Sequence, residues 1–339
     1  MDTLFIEYRD PIFGIIIFFA IIFIIAFLNY WWSVFKSKEE RYGIEQFIKR
    51  FEVMADANEY KKLLDEFSIS SESLGLLAHT YSKSGEYEKA IGIYVIALKR
   101  AKSKDEKQYF LFELGKTYFK AGFLRRSADI FVELLRFYPR HEEALKNLTV
   151  VYEQLKEYDK ALETLDALEE MNIEASSEKN FIKALKTLRD ETKTIKQKYE
   201  ILSHLAKKES IIGRILFEFA KKENLSFDIN LINANTILDL LWECDEEKLK
   251  NSSEPLIQAV LSAKGDGECP QNAPFELEIL SVLKKQNYTK ATLSFEYTCT
   301  ACKGTFPVHF YRCPSCHTLK NPHISLSLIK SEYEKYYSF

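Results

Sequence analysis

The sequence predicts an all-α solenoid with one N-terminal transmembrane helix and a small C-terminal β metal knuckle. Three observations carry that reading: a spacing of small and aromatic residues that recurs after 34 positions, an uncharged apolar run near the start, and two Cys-x-x-Cys pairs near the end. The composition agrees, because 11 Gly and 8 Pro stand against 25 Phe and 19 Tyr, which favours long helices over a turn-rich sandwich. A formal net charge of -3 supplies no overall field that would draw in nucleic acid. Four of the six cysteines fall in the paired motifs, a usage that suits a reducing compartment better than a disulfide scaffold.

The N-terminal tail and anchor are expected to occupy residues 1–35. No charged side chain occurs over residues 11–35, and residues 12–28 are almost wholly Ile, Phe, Ala and Leu, enough to span a bilayer as a helix. No basic stretch precedes the run and no small-residue cleavage site follows it, so it reads as a retained anchor rather than a signal peptide. Tyr30, Trp31 and Trp32 are placed to meet the headgroups. Only Arg9 precedes the run, whereas Lys36, Lys38, Arg41, Lys49 and Arg50 follow it, so the positive-inside rule puts the remainder of the chain in the cytoplasm.

Residues 36–70 read as a charged connector and first helices, with Phe47, Ile48, Phe51, Met54, Leu63 and Leu64 on apolar faces over residues 43–67. The repeat then begins. Leu74, Leu77, Ala78, Tyr81, Gly85, Tyr87, Ala90, Tyr94, Ala97 and Leu98 match the tetratricopeptide pattern position by position. A second copy carries Leu111, Leu114, Gly115, Tyr118, Gly122, Phe131 and Pro139, and a third carries Leu145, Leu148, Tyr152, Tyr158, Ala161, Leu165 and Leu168. Tyr118 and Tyr152 lie 34 residues apart but Tyr81 and Tyr118 lie 37 apart, which implies a three-residue insertion between the first two copies. These matched residues are packing residues, because small side chains let paired helices approach while large ones fill the neighbour's holes. The three recognisable repeats span residues 71–175, and degenerate helical pairs are expected over residues 176–290, with helical signal at 181–205, 211–222, 229–242, 255–261 and 275–285 and a loop at 264–274.

The knuckle, residues 291–339, holds the strongest chemical signal. Cys299, Cys302, Cys313 and Cys316 form two Cys-x-x-Cys pairs separated by ten residues, and each pair can present two thiolates on one side of a tight turn. Four soft sulfur ligands close a tetrahedral site for one zinc or iron ion. A strand is expected over residues 292–298, and Phe306, Val308, Phe310 and Tyr311 fit a small hairpin between the pairs. Cys244 and Cys269 belong to no motif and read as buried or idle thiols. His309 and His317 read as solvated, since four cysteines already complete the ligand shell.

This order of parts resembles the lipopolysaccharide assembly protein B family. The likeness is most specific in the knuckle, where that family has Tyr-x-Cys-x-x-Cys, a ten-residue aromatic insert and Cys-Pro-Ser-Cys; here stand Tyr297-Thr298-Cys299, an insert with Phe310 and Tyr311, and Cys313-Pro314-Ser315-Cys316. The family's Gly after the second Cys is replaced by Lys303, with Gly304 one place later. The resemblance implies a rubredoxin-type knuckle on a non-enzymatic regulator at the bacterial inner membrane, single-pass with its N-terminus periplasmic. Its implied partners are an FtsH-type membrane protease and an LpxC-type lipid A deacetylase whose turnover it would promote; a homo-oligomer is allowed.

Partner contacts are expected on first-helix positions outside the packing set, namely His79, Tyr109, Phe112, Lys116, Phe119, Lys146, Val150 and Glu153, and around Phe310 and Arg312 of the knuckle; Phe112 and Phe119 fit interrepeat core equally well. A scaffold for another envelope complex, or a nucleic-acid-binding zinc ribbon using Lys303, Arg312, Lys320 and Lys330, is the alternative. No HExxH, GxxxxGK or GxSxG occurs, so no enzyme is expected, and no nucleic-acid partner either.

Overall fold

The computed structural model describes residues 17–32, 70–226, 232–250 and 252–331. Residues 17–32 are helical and exposed, and the rest of the apolar run, like the helices expected over residues 43–67, lies outside the described residues. Among the described residues no helix is long and apolar enough to cross a membrane. The chain divides into two compact units, Met1–Leu155 and Lys156–Phe339, with the boundary between the two helices of the third repeat copy.

The first unit contains α1 (Ser71–Lys83), α2 (Tyr87–Arg100), α3 (Lys104–Lys120), α4 (Leu124–Phe137) and α5 (Glu142–Gln154). Side chains start the first helix of each copy: Ser70 accepts from the Ser73 N–H, Ser103 from Glu106 and His141 Nδ1 from Ala144, each satisfying a donor the helix cannot. The paired helices are joined through left-handed residues, Gly85 at φ 85° and Gly122 at φ 80°, and in the third copy Lys156 takes the same place at φ 62°. The inserted residues appear at the start of α3, which has 17 residues where α1 and α5 have 13. Tyr94, Phe110, Leu111, Leu114, Tyr118, Phe131 and Leu134 fill the core. The Ser127 hydroxyl donates to the Gly115 carbonyl at 2.9 Å, tying α4 to α3.

Gly115 shows why the repeat needs a small residue at this position. A Cβ there would lie 2.7 Å from Phe131 Cε1 and 2.9 Å from Cδ1 and Cζ, and Phe131 is fully buried against Phe112. Gly115→Ala is therefore expected to destabilise by about 1–3 kcal/mol through overpacking, in spite of alanine's better helix propensity. A melting temperature lowered by several degrees in thermal denaturation is the expected reading; an unchanged or raised one would show that the ring can move aside.

The second unit contains α6 (Tyr158–Glu170), α7 (Ser176–Arg189), α8 (Ile195–Ala206), α9 (Ser210–Lys222), a 3-10 turn (Ala234–Thr236), α10 (Leu238–Trp242), α11 (Glu246–Leu249), α12 (Pro255–Lys264) and α13 (Phe275–Lys285). The amphipathic stretch 181–205 is two helices, broken at Asp190 and restarted by a capping box in which Thr194 and Gln197 satisfy each other's backbone N–H. The apolar stretch 229–242 is less helical than its pattern suggested: its described part is the 3-10 turn, nucleated by Asn233 accepting from the Asn235 N–H, and the five residues of α10. Gly265, at φ 118°, ends α12 and opens the expected loop.

A three-stranded antiparallel sheet in the order β2-β1-β3 completes the unit, with β1 Ala291–Thr298, β2 Thr305–Phe306 and β3 His323–Lys330. The hairpin expected between the cysteine pairs is reduced to the two residues of β2 opposite Tyr297 and Thr298. The long partner of β1 is β3, from the C-terminal tail, in register from Ala291 opposite Lys330 to Thr298 opposite His323. Leu293, Tyr297 and Ile324 of this sheet share one apolar core with Phe217, Ile237, Leu241, Ile257, Val260, Leu277 and Leu280. The β element is thus built onto the helices rather than appended to them.

Candidate metal centre and its buried support

Two copies of one turn hold the cysteines. In the first, the Cys299 N–H donates to the Gly304 carbonyl at 2.9 Å and the Lys303 N–H to the Cys299 carbonyl at 3.0 Å; in the second, Cys313 N–H donates to Thr318 at 3.0 Å and His317 N–H to Cys313 at 2.9 Å. Lys303 at φ 63° and His317 at φ 57° occupy the same left-handed position, which is where a glycine is sterically cheapest. β1 delivers the first turn and the Arg312–Leu319 bridge closes the second.

The two turns face each other. Cys299 and Cys316 sulfurs lie 3.7 Å apart, as do those of Cys302 and Cys313, and all four fall within 4.8 Å of one another. A tetrahedral dication with metal–sulfur bonds of about 2.3 Å requires sulfurs about 3.8 Å apart, so the four residues fit one metal ion. Cys299 and Cys313 are buried, whereas Cys302 and Cys316 are exposed. Hydrogen bonds from the Thr318 hydroxyl and N–H pull the Cys316 thiol down to about 6, and the Cys302 N–H lowers that of Cys299. Burial pushes the Cys313 thiol up to about 11, so a metal is what would make it a thiolate at neutral pH. Cys244 is buried and Cys269 half-buried, and neither joins the cluster.

Beneath the metal turns lies a polar network that sequence reading missed. Arg214 of α9 is 3% exposed and donates two 2.7 Å hydrogen bonds to the Asp239 carboxylate of α10, a third to Glu218 at 3.0 Å and a fourth to the Thr236 carbonyl at 3.0 Å. The Tyr297 hydroxyl, two residues before the first ligand, donates to Asp239 at 2.6 Å. The Tyr311 hydroxyl, two residues before the third, donates to Glu218 at 2.7 Å. His309 packs edge-on to the rings of Tyr297 and Tyr311, at 5.4 and 5.0 Å, so it is not a solvated side chain. Burial, with the Arg214 charge beside it, pushes the His309 imidazole down to about 4. Both tyrosine hydroxyls are pushed up by burial and by their carboxylate acceptors, so they remain donors. The signal was present in the sequence as Arg214 and Asp239, single opposite charges inside apolar runs.

A tetratricopeptide repeat family model matches residues 73–108. The chain is 37% identical over 94 residues to the protein CTR9 homolog of Arabidopsis thaliana, an alignment covering 27% of this chain and 9% of that protein. Among solved structures it is similar to MamA, from residue 41 onward, of Desulfovibrio magneticus RS-1, at 18% identity and a TM-score of 0.36 over 45% of this chain and 85% of that one. A tetratricopeptide repeat protein from Parabacteroides merdae aligns at 19% identity and a TM-score of 0.36, over 74% of this chain and 87% of the other. The repeat in this chain therefore rests on its own helical hairpins and on the family match at residues 73–108.

The expected partner residues divide. Phe112, Val150 and Phe310 are buried, because each fills space between neighbouring elements; Phe112 stacks on His141 with ring centres 5.0 Å apart. Arg312 is not a knuckle docking group: its side chain is 8% exposed, donates to the His317 carbonyl at 2.9 Å and lies 3.7 Å from Glu178. Lys116 is half-buried, paired with the buried Glu113 at 2.7 Å and 4.9 Å above the Phe112 ring; His79 Nδ1 lies 3.7 Å from the same carboxylate. Phe119 and Glu153 are half-buried, Lys146 is exposed and paired with Glu142, and Tyr109 is 46% exposed. Tyr109 and Lys146 are thus the most accessible of the set.

Proposed function

We propose that this chain is a membrane-anchored adaptor of the lipopolysaccharide assembly protein B type, in which tetratricopeptide repeats bind partner proteins and one zinc or iron ion locks the C-terminal knuckle. The observation that carries the reading is the pair of matched turns placing Cys299, Cys302, Cys313 and Cys316 around one metal-sized space, with Tyr297 and Tyr311 fastening them to α9 and α10. The apolar run over residues 11–35, of which residues 17–32 form an exposed helix, supports the anchor. The partners follow from the resemblance: an FtsH-type membrane protease and an LpxC-type deacetylase, with the chain bringing the second to the first. Metal bound to the four thiolates supplies folding energy and no step of chemistry.

Affinity capture of the intact chain from bacterial membranes is expected to bring down both partners. Tyr109→Ala with Lys146→Glu is expected to weaken that capture at least tenfold with the melting temperature unchanged, since both side chains are accessible. Glu at Lys116 would instead face the buried Glu113 and disturb the fold, so that position is left native. Recovery of neither partner, or unchanged capture by the double variant, would overturn the reading at the level of pathway or of surface respectively.

A further inference from the structure

The four thiols of the knuckle differ in access. Cys299 and Cys313, the first of each pair, are buried, whereas Cys302 and Cys316, the second of each, face solvent. A dissolved oxidant therefore meets one sulfur of each turn. The sulfur contacts of 3.7 Å run between the turns, setting the exposed Cys316 against the buried Cys299 and the exposed Cys302 against the buried Cys313.

Groups other than the sulfurs keep the turns opposed. The Tyr297 hydroxyl is bonded to Asp239 and the Tyr311 hydroxyl to Glu218, and Arg214 donates to both carboxylates. Phe181 packs on Tyr311 with ring centres 5.8 Å apart, and Arg312 donates to the His317 carbonyl within the second turn. A sulfur oxidised on one turn thus faces a thiol held on the other.

We propose that the knuckle is a peroxide-responsive clip, in which oxidation expels the metal and puts two disulfides across the turns in its place, Cys299 to Cys316 and Cys302 to Cys313. The proposal rests on the four cysteines being a metal clip and adds what an oxidant does to it. One oxygen of hydrogen peroxide passes to the exposed Cys316 thiolate, giving a sulfenic acid and hydroxide. The Cys299 thiolate then attacks that sulfur; the S–S bond forms as the S–O bond breaks, and a second hydroxide leaves. Cys302 and Cys313 do the same with another peroxide. Over both pairs, four thiolates give up four electrons, two peroxides and four protons become four waters, and the ion is released with the loss of its ligands. Dithiols reverse the change, which suits a reducing compartment.

The choice of pairing decides the outcome for the fold. A disulfide within Cys299–Cys302 or Cys313–Cys316 joins residues of one turn and leaves the two turns separate. Disulfides across the turns tie the end of β1 to the segment that leads into β3, as a bound metal does. The oxidised metal-free chain therefore keeps its sheet, and the reduced metal-free chain loses it.

The test treats the full-length, zinc-loaded chain in detergent with hydrogen peroxide and digests it with trypsin without reduction. Cleavage after Lys290, Lys303, Arg312 and Lys320 separates residues 291–303, which carry Cys299 and Cys302, from residues 313–320, which carry Cys313 and Cys316. Mass spectrometry is expected to find these two peptides joined, with fragment ions assigning Cys299 to Cys316 and Cys302 to Cys313, while the bound zinc appears on a chelating dye. Hydrogen exchange in β1 and β3 is expected to be at least about tenfold slower in the oxidised chain than in a reduced chain stripped by a chelator. Separate peptides with internal disulfides, sulfinic acids in place of disulfides, zinc retained after peroxide, or equal exchange in the two metal-free chains would overturn the proposal. A chain that takes up no zinc would overturn the clip itself, and the proposal with it.

Discussion

Replacing Cys313 and Cys316 by serine is expected to release the metal and unfold the sheet of the second unit. Serine hydroxyls do not replace thiolates for zinc or ferrous iron, and the remaining pair, Cys299 and Cys302, supplies only half a shell. In structural sites of this kind metal binding is itself folding energy, of the order of 10 kcal/mol, comparable with the whole stability of a typical domain. The loss is expected to travel outward from the turns, since β1 ends at Thr298, next to Cys299, and Tyr297, which it carries, is part of the buried network. Metal analysis should fall from one equivalent to none, and hydrogen exchange should show β1 and β3 losing protection while α1–α5 of the first unit keep theirs. Retention of one metal equivalent, or a protected sheet without metal, would sink the claim. In the loaded wild-type chain, visible absorption by ferric thiolate separates iron from zinc.

Asp239→Ala is expected to be nearly as damaging. It leaves Arg214 buried without its bidentate carboxylate and Tyr297 without its acceptor, a loss of about 3–5 kcal/mol for a broken buried pair. The double change Arg214→Met with Asp239→Leu removes both charges together and is expected to cost much less, so urea denaturation of the two variants separates a stranded charge from a mere loss of packing. The network also carries a pH dependence of definite sign. Burial alone would raise the Asp239 carboxyl, but the hydrogen bonds and charge of Arg214 hold it below the usual carboxylate range. His309 is pushed down to about 4. Both folded values lie below their unfolded ones, so the unfolded chain binds more protons as the pH drops. The stabilisation is complete above the unfolded values and is lost on acidification, first between about 6.5 and 4 through His309, then below about 3.9 through Asp239. His309→Phe is expected to flatten the first decline. Metal content measured alongside keeps thiolate protonation apart from it, and an equally steep loss in that variant with metal retained would rule His309 out as the source.

Much of the second unit was legible because its elements have local causes. The four clustered cysteines were readable as two short-range pairs, and Phe275–Lys285 and Ser210–Lys222 emerged almost to the residue from apolar periodicity. β3 was not: His323, Ser325 and Ser327 do alternate with Ile324, Leu326 and Leu328, but the partner that makes this a strand, β1, lies more than 20 residues away. The buried state of Phe310 and Arg312 was illegible, and that of Phe112 undecided between core and partner face, for the same reason: whether a side chain faces a partner or a neighbouring element depends on residues distant in sequence.

By itself the sequence determined the repeat, its spacing and the four cysteines able to hold a metal, since each depends on contacts within a few residues or within one helical hairpin. Only the tertiary structure decided that Arg214, Asp239 and Glu218 converge under Tyr297 and Tyr311, and that β3 rather than a local hairpin completes the sheet. Both arise from long-range desolvation: a charge or a strand edge taken out of water must find its partner wherever the chain's packing puts one.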